Sequence, residues 1–295
     1  MTNRGRAGAL AAAAMLAFAL APLSAAAVPL PLPNPREAAP TAAADHVEAE
    51  FTVFVGGFLF AQGSLTATIS GPDYRLNTHL STAGLPRAFY EAEFKLASTG
   101  HLEDVRVKPA VYNSDSWDKS SARKVTLSYN GDGMPSLTAE PPYEPGDLGD
   151  VMPYQQLGTQ DPVSAALVPV VGDGNPCDRS IPVFDGRRRY DLKLSYAGEI
   201  KMTPRGLQAP VTAIACNIRY VPVAPIERRK FTEMLRQNDS MKVWLAPFDG
   251  GRVYMPVRLQ LRTPLGGAVM ELTRVSESKL GEKSATLSQS SDRPD

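Results

Sequence analysis

Three histidines, two cysteines and two short basic runs offer the widest choice of chemistry in this sequence of 295 residues. An acid–base or triad mechanism would need His46, His79 or His101 beside a carboxylate and a nucleophile. His79 falls on the polar side of an alternating stretch, His101 is expected in a turn, and His46 stands at the edge of the folded part. All three read as surface residues. P-loop, dinucleotide, HExxH and GxSxG patterns are absent, which counts against the commonest nucleotide, zinc-protease and hydrolase chemistries. The stretch Gly172-Asp173-Gly174-Asn175-Pro176-Cys177-Asp178 gathers oxygen ligands of the kind calcium takes. It lacks the closing Glu of an EF-hand and is expected to be a solvated turn. No residue is therefore assigned as catalytic or metal-ligating, and no cofactor is expected.

The two cysteines take their meaning from the N-terminus. Arg4 and Arg6 precede an apolar run from Ala9 to Leu20, and small residues follow at Ser24-Ala25-Ala26-Ala27. This is the pattern of a secretory signal peptide over residues 1–27, cleaved near Ala26 or Ala27. The run is too short to span a membrane comfortably, and no later stretch is apolar for long enough to do so. The Ala-rich character points to a bacterial protein of the periplasm. In an oxidising compartment an isolated pair, Cys177 and Cys216, is most simply a disulfide. Such a bridge closes a loop of about 40 residues and stabilises by roughly 4 kcal/mol.

The basic runs are Arg187-Arg188-Arg189 and Arg228-Arg229-Lys230. They sit in a chain with 31 Lys plus Arg and 31 Asp plus Glu, so the formal net charge is zero. That balance excludes bulk electrostatic binding of nucleic acid. Arg187 and Arg189 belong to the outer side of an alternating stretch. Arg188 shares its side with Tyr190, Leu192, Leu194 and Tyr196, so if buried it needs a carboxylate, with Asp185 or Asp191 as candidates.

The elements that must carry these residues are short strands. Val47, Ala49, Phe51, Val53 and Val55 alternate with polar residues, and the pattern recurs through Leu65–Ile69, Tyr74–Leu80, Tyr90–Leu96 and Val125–Tyr129. Thr99-Gly100 is expected to turn the chain. Pro135 to Tyr154 marks a change of unit. Asp161-Pro162 then reads as an N-cap and first helical position for a short helix ending at Pro169. Thr212, Ile214, Cys216, Ile218 and Tyr220 share one side of a later strand, and Val253–Leu261 alternates clearly. A second short helix fits Ile226–Gln237. The expected fold is all-β and mainly antiparallel: a strongly curved sheet or spiral, incomplete β-barrel with one or two short helices. Residues 28–45 form a Pro/Ala-rich disordered leader, 46–275 a single β-rich domain of two halves joined near 135–176, and 276–295 a disordered tail.

Three stretches carry a resemblance: PCDRSIPVFDGRRRYDL, ACNIRYVPVAPI, and VWLAPF with VYMPVRLQLRTPLGGAVMEL. With GLPRAFYEAEFKLASTG earlier in the chain, they resemble the bacterial family known as domain of unknown function 3108, over roughly His46 to Arg274. The resemblance implies an exported protein and assigns no reaction. In architecture the chain is also similar to spiral β-barrel proteins that maintain the periplasmic envelope, and to half-barrel lipoprotein carriers. The expected role is accordingly non-enzymatic envelope maintenance by binding an envelope lipid, glycan or protein. One alternative is a carrier holding a hydrophobic ligand in a half-open barrel, with Phe51, Phe94, Arg188, Tyr190 and Tyr196 as candidate lining. The other is an envelope-polymer hydrolase.

Overall fold

The computed structural model describes residues 45–143, 151–203, 210–225 and 230–279. The expected signal peptide, the leader to residue 44, the tail from residue 280, and Arg228 and Arg229 lie outside the described residues. The first half of the chain is a run of hairpins. It comprises β1 (Asp45–Val55), β2 (Phe58–Ser70), β3 (Asp73–Thr82), β4 (Ala92–Glu103), β5 (Arg106–Asp118), β6 (Ser121–Tyr129) and β7 (Pro135–Glu140). The second half has β8 (Val168–Pro169), β9 (Arg179–Phe184), β10 (Arg189–Met202), β11 (Val211–Ala224), β12 (Lys242–Phe248), β13 (Val253–Thr263) and β14 (Gly266–Lys279). Two short helices, α1 (Pro153–Gln156) and α2 (Lys230–Gln237), interrupt the strands.

Period-two alternation explains the strands. In β1, Val47, Ala49, Val53 and Val55 are buried while Glu48 and Glu50 face water, and one apolar face per strand is what a half-buried antiparallel sheet requires. All strands belong to one sheet, in the order β7-β6-β5-β4-β3-β2-β1-β14-β13-β12-β11-β10-β9, with β8 paired to β13. Along the main path each strand lies beside its sequence neighbour except at the middle, where the first and last strands pair antiparallel from Asp45↔Lys279 to Val55↔Ala268. The sheet edges are therefore β7 and β9.

The segment between β7 and β9 occupies the seam. Gln160 makes a parallel bridge to Val183 of β9, and Gly158 N–H donates to Gly133 O in the β6–β7 turn at 3.2 Å. The β9–β10 turn closes against the other edge. Gly186, at φ +91, would place a Cβ 2.9 Å from Val125 Cγ1 and 3.2 Å from Leu137 Cδ1, so only glycine fits this approach. Exposed sheet edges invite pairing with another chain, and this arrangement covers them.

Buried residues form two groups along the interior. Val53, Val55, Phe60, Tyr190, Leu194, Tyr220, Val243, Leu245 and Leu261 belong to one. Val47, Ala49, Leu76, Tyr112, Leu127, Val253, Val257 and Val275 belong to the other. β1 and β13 contribute to both because they run the length of the core.

Several expectations need correction. Thr99-Gly100 does not turn the chain; β4 continues to Glu103 and turns at Asp104. Gly100 sits in the strand at a register shift, where a Cβ would lie 2.2 Å from Lys108 O. The glycine serves a close backbone approach, not a turn. The helix expected after Asp161 is one 3-10 turn, Ser164–Ala166. The tail does not begin at residue 276, because pairing with β1 carries β14 to Lys279.

Candidate ligand-binding face and buried polar sites

The disulfide is formed: Cys177 and Cys216 are bonded, with Cα atoms 5.6 Å apart. It ties the approach to edge strand β9 to β11, two strands inward. The Gly172–Asp178 turn is held by its own polar groups. Asn175 Oδ1 accepts the Cys177 N–H at 2.8 Å, and Asp178 Oδ1 accepts the Tyr196 N–H at 3.1 Å.

The candidate lining residues differ in their surroundings. Phe94 is buried, Phe51 is half-buried against one core group, and Tyr190 is buried with its ring centroid 5.0 Å from that of Tyr220. Tyr196 is 48 % exposed. The pairing of β9 with β10 ends at Arg179↔Leu194, and β10 is bulged between Tyr196 and Gly198. Tyr196 therefore lies past the covered part of its strand, although its parity matches Tyr190. Arg187, expected on the outer side, is only 7 % exposed, and Arg188 is half-buried. Strand parity does not reach them, since β10 starts at Arg189 and Asp185–Arg188 is a turn. The Asp185 carboxylate accepts the backbone N–H groups of Arg187 at 2.8 Å and Arg188 at 2.5 Å. Asp191 pairs instead with Arg189, at 2.7 Å.

A second carboxylate is enclosed more fully. Asp161 is 0 % exposed. Its Oδ1 accepts the N–H groups of Val163 and Ser164, both at 2.8 Å, and its Oδ2 accepts the Ser98 hydroxyl at 2.8 Å. The Tyr74 hydroxyl lies 3.4 Å from Ser98 Oγ, extending the chain of hydrogen bonds outward. Burial pushes the Asp161 carboxyl above its usual range, against the pull of these donors. Burial also raises the phenols of Tyr74, Tyr112 and Tyr129 around it, so they stay neutral. Asp-Pro was legible as a cap; that the cap is a buried tether to β4 was not.

At the end of the sheet where β1 begins, burial and a hydrogen bond with Asp45 push the Asp249 carboxyl up to about 6, with Arg252 opposing. A raised folded-state pKa favours the protonated form, so its stabilisation is complete below about pH 4 and is lost as pH rises through about 6. Asp161 and Asp185 shift in the same direction. Glu93, held down to about 2 mainly by the Trp117 indole N–H and then by His79 and Lys95, acts below this window. The thermal midpoint should fall by on the order of a few degrees between pH 4 and 7. Asp249→Asn should flatten part of that slope, as differential scanning calorimetry would register.

The outer face of the first half is organised in cross-strand rows. Arg274, Glu50, Ser64, His79, Lys95, Asp115, Lys124 and Glu140 are successive partners from β14 through β7. At ~4.8 Å per strand this row is roughly 34 Å long. Beside it run Thr52, Gln62, Ser81, Glu93 and Trp117, and on the other side Thr66, Asn77, Ala97, Asn113 and Thr126. A concavity of about 520 Å³ is set into these rows, with Ser64, Asn77, His79, Lys95, Asn113 and Lys124 among its lining. A second, also about 520 Å³, lies next to it across β14, β1 and β2, lined by Glu50, Thr52, Gln62 and Arg274 among others. A third, of about 450 Å³, lies between α2 and the end of β13. Phe51, Phe94, Arg188, Tyr190 and Tyr196 line none of the three.

Glu93 is the hub of this face. It accepts from Trp117 Nε1 at 2.8 Å, is 2.8 Å from His79 Nε2, and pairs with Lys95 at 3.2 Å. His79 thus has a carboxylate partner, but it is not hydrogen-bonded to the cross-strand Ser64 hydroxyl, the contact a triad needs. His101 lies in β4, not in a turn, 2.5 Å from Asp73. His79 and Asp73 are six residues apart in β3, which separates the two histidine pairs by roughly 20 Å.

The family described as "Protein of unknown function (DUF3108)" matches residues 50–273. Among solved structures, the chain is similar to the crystal structure of a β-barrel-like protein of domain of unknown function DUF1849 from Brucella abortus. The TM-score is 0.51 at 8% sequence identity, covering 82% of this chain and 100% of the other. The likeness is one of fold. No curated protein matches.

Proposed function

This chain belongs to the DUF3108 family, whose function is unknown, and from its own surfaces we propose that it is an exported, non-enzymatic protein that binds an envelope glycan. The observation that carries the reading is the row-ordered polar face spanning β14 to β7. Amides at Asn77 and Asn113, carboxylates at Glu50 and Asp115, and hydroxyls at Ser64, Thr66 and Thr126 alternate there with cations. Glycan hydroxyls both donate and accept, and a mixed set of this kind matches them. Trp117, exposed at the margin of the rows, supplies an apolar surface on which a sugar ring can lie. The length of the rows suits a polymer better than a single small molecule. Export is supported by the presequence pattern and by the Cys177–Cys216 bridge, and the periplasm is the compartment we infer. The outer face is preferred to a hollow interior because Phe94 and Tyr190 are spent on the core.

Titration calorimetry with soluble peptidoglycan fragments and with the core oligosaccharide of lipopolysaccharide tests this. The native protein should bind one of them. Trp117→Ala combined with Asn113→Ala should weaken that binding about tenfold, the effect of losing one or two good contacts, with the thermal midpoint of the variant measured alongside because Trp117 also donates to Glu93. A native protein that binds neither sugar would sink the proposal.

A further inference from the structure

The end of the sheet opposite the first and last residues of the described chain carries a different kind of surface. Four large apolar side chains there serve no core: Phe89 is 87 % exposed, Leu85 73 %, Phe58 64 % and Leu265 51 %. They stand on neighbouring turns. Gly56 N–H, in the β1–β2 turn beside Phe58, donates to Gly267 O beyond Leu265 at 2.9 Å. Ala83 N–H donates to Phe60 O at 2.8 Å, which seats the β3–β4 connection against β2. Within that connection the 3-10 turn Leu85–Ala88 buries none of its own residues, so its apolar content is not explained by folding. Single exposed apolar residues are ordinary; a row of them on three adjacent turn tips marks an interaction surface.

Cations stand close behind these tips. Arg87 is bonded to Glu91 at 3.0 Å, Lys119 Nζ donates to Ala88 O at 3.3 Å, and Arg262 is exposed at the end of β13 beside the Leu265 turn. Of the carboxylates nearby, Asp118 is taken up by the N–H groups of Ser120 and Ser121 and Glu233 by Arg236, while Asp239 shares a concavity with Arg262. Apolar side chains on separate projecting tips, with Arg and Lys behind them, suit the boundary between acyl chains and phosphate headgroups. A protein partner would be better matched by one continuous groove.

We infer that this end of the sheet docks on a lipid bilayer surface, with Phe58, Leu85, Phe89 and Leu265 entering the interface and Arg87, Lys119 and Arg262 facing headgroup phosphates. The polar rows described above run along the wall of the sheet and stay accessible in that pose.

Co-sedimentation of the full chain with vesicles of phosphatidylethanolamine and phosphatidylglycerol is the test. The native protein should pellet with vesicles and stay in solution without them. Leu85→Ser with Phe89→Ser should lower the bound fraction about tenfold, and Phe58→Ser, on a different turn, should lower it as a single change. Val105→Ser, exposed in a turn at the opposite end, should leave it unchanged. Native protein that ignores vesicles overturns the inference, and so does an equal loss from Val105→Ser. Sedimentation velocity without lipid supplies a further check. A concentration-dependent dimer abolished by Leu85→Ser with Phe89→Ser would assign the surface to a second copy of the chain, and a monomer throughout agrees with docking on lipid.

Discussion

Asp161→Ala should lower the unfolding free energy by about 3–5 kcal/mol, the summed effect of leaving several buried donors without an acceptor. The side chain accepts two backbone N–H groups and the Ser98 hydroxyl, in a residue that is 0 % exposed. Removing it leaves those donors buried without an acceptor. It also unties the plug: Asp161 starts the segment that leads through Ser164–Ala166 into β8, and Ser98 belongs to β4 on the facing wall. Asp161→Asn keeps an acceptor oxygen for the two N–H groups and should cost only about 1 kcal/mol. Because burial already biases the carboxyl toward its neutral form, the amide should also remove this site's share of the pH slope. Urea unfolding of both variants at pH 5 and pH 7.5 measures these effects. Equal losses for Ala and Asn would show that the carboxylate charge matters, and not the acceptor.

Cys177→Ser with Cys216→Ser should cost roughly 4 kcal/mol and about 10 °C of thermal midpoint. The sequence separation of 39 sets the chain entropy returned to the unfolded state. The loss should be uneven. β9 is an edge strand held by a six-residue ladder to β10 and by the Gln160–Val183 bridge. Without the staple, amides of β9 should exchange with deuterium well before those of β1 or β14, which have partners on both sides. Uniform acceleration across the sheet would show that the bridge acts on global stability alone.

The strands of the first half were legible because alternation is local: each of β1, β2 and β3 announces its inward face within ten or so residues. The disulfide was legible from two cysteines and the N-terminal pattern expected of a presequence. What stayed hidden depends on pairing. Ser64, His79, Lys95, Asp115 and Lys124 look like unrelated polar positions until the register sets them in one row. Arg187 was misplaced because parity was carried into the turn held by Asp185, and Tyr196 because its covering strand β9 ends opposite Leu194. Asp161 was legible as a cap, but nothing local says that its other oxygen meets Ser98, 63 positions away in sequence.

The pairing of Asp45 with Lys279 places the two ends of the sheet-forming chain side by side. The natural order therefore reads as a rotation of a simple meander, cut at β1/β14 instead of at the seam. Joining residue 279 to residue 45 through a short linker, and opening the chain at residues 141–151, would set every strand of the main sheet path beside its sequence neighbour. Such a permutant keeps each hydrogen bond of the sheet and makes the β1–β14 pairing, which spans the whole domain in the natural order, local in sequence. Its contact order falls, and with it the loop-closure entropy that must be met before the sheet is complete, so it should fold faster than the natural chain.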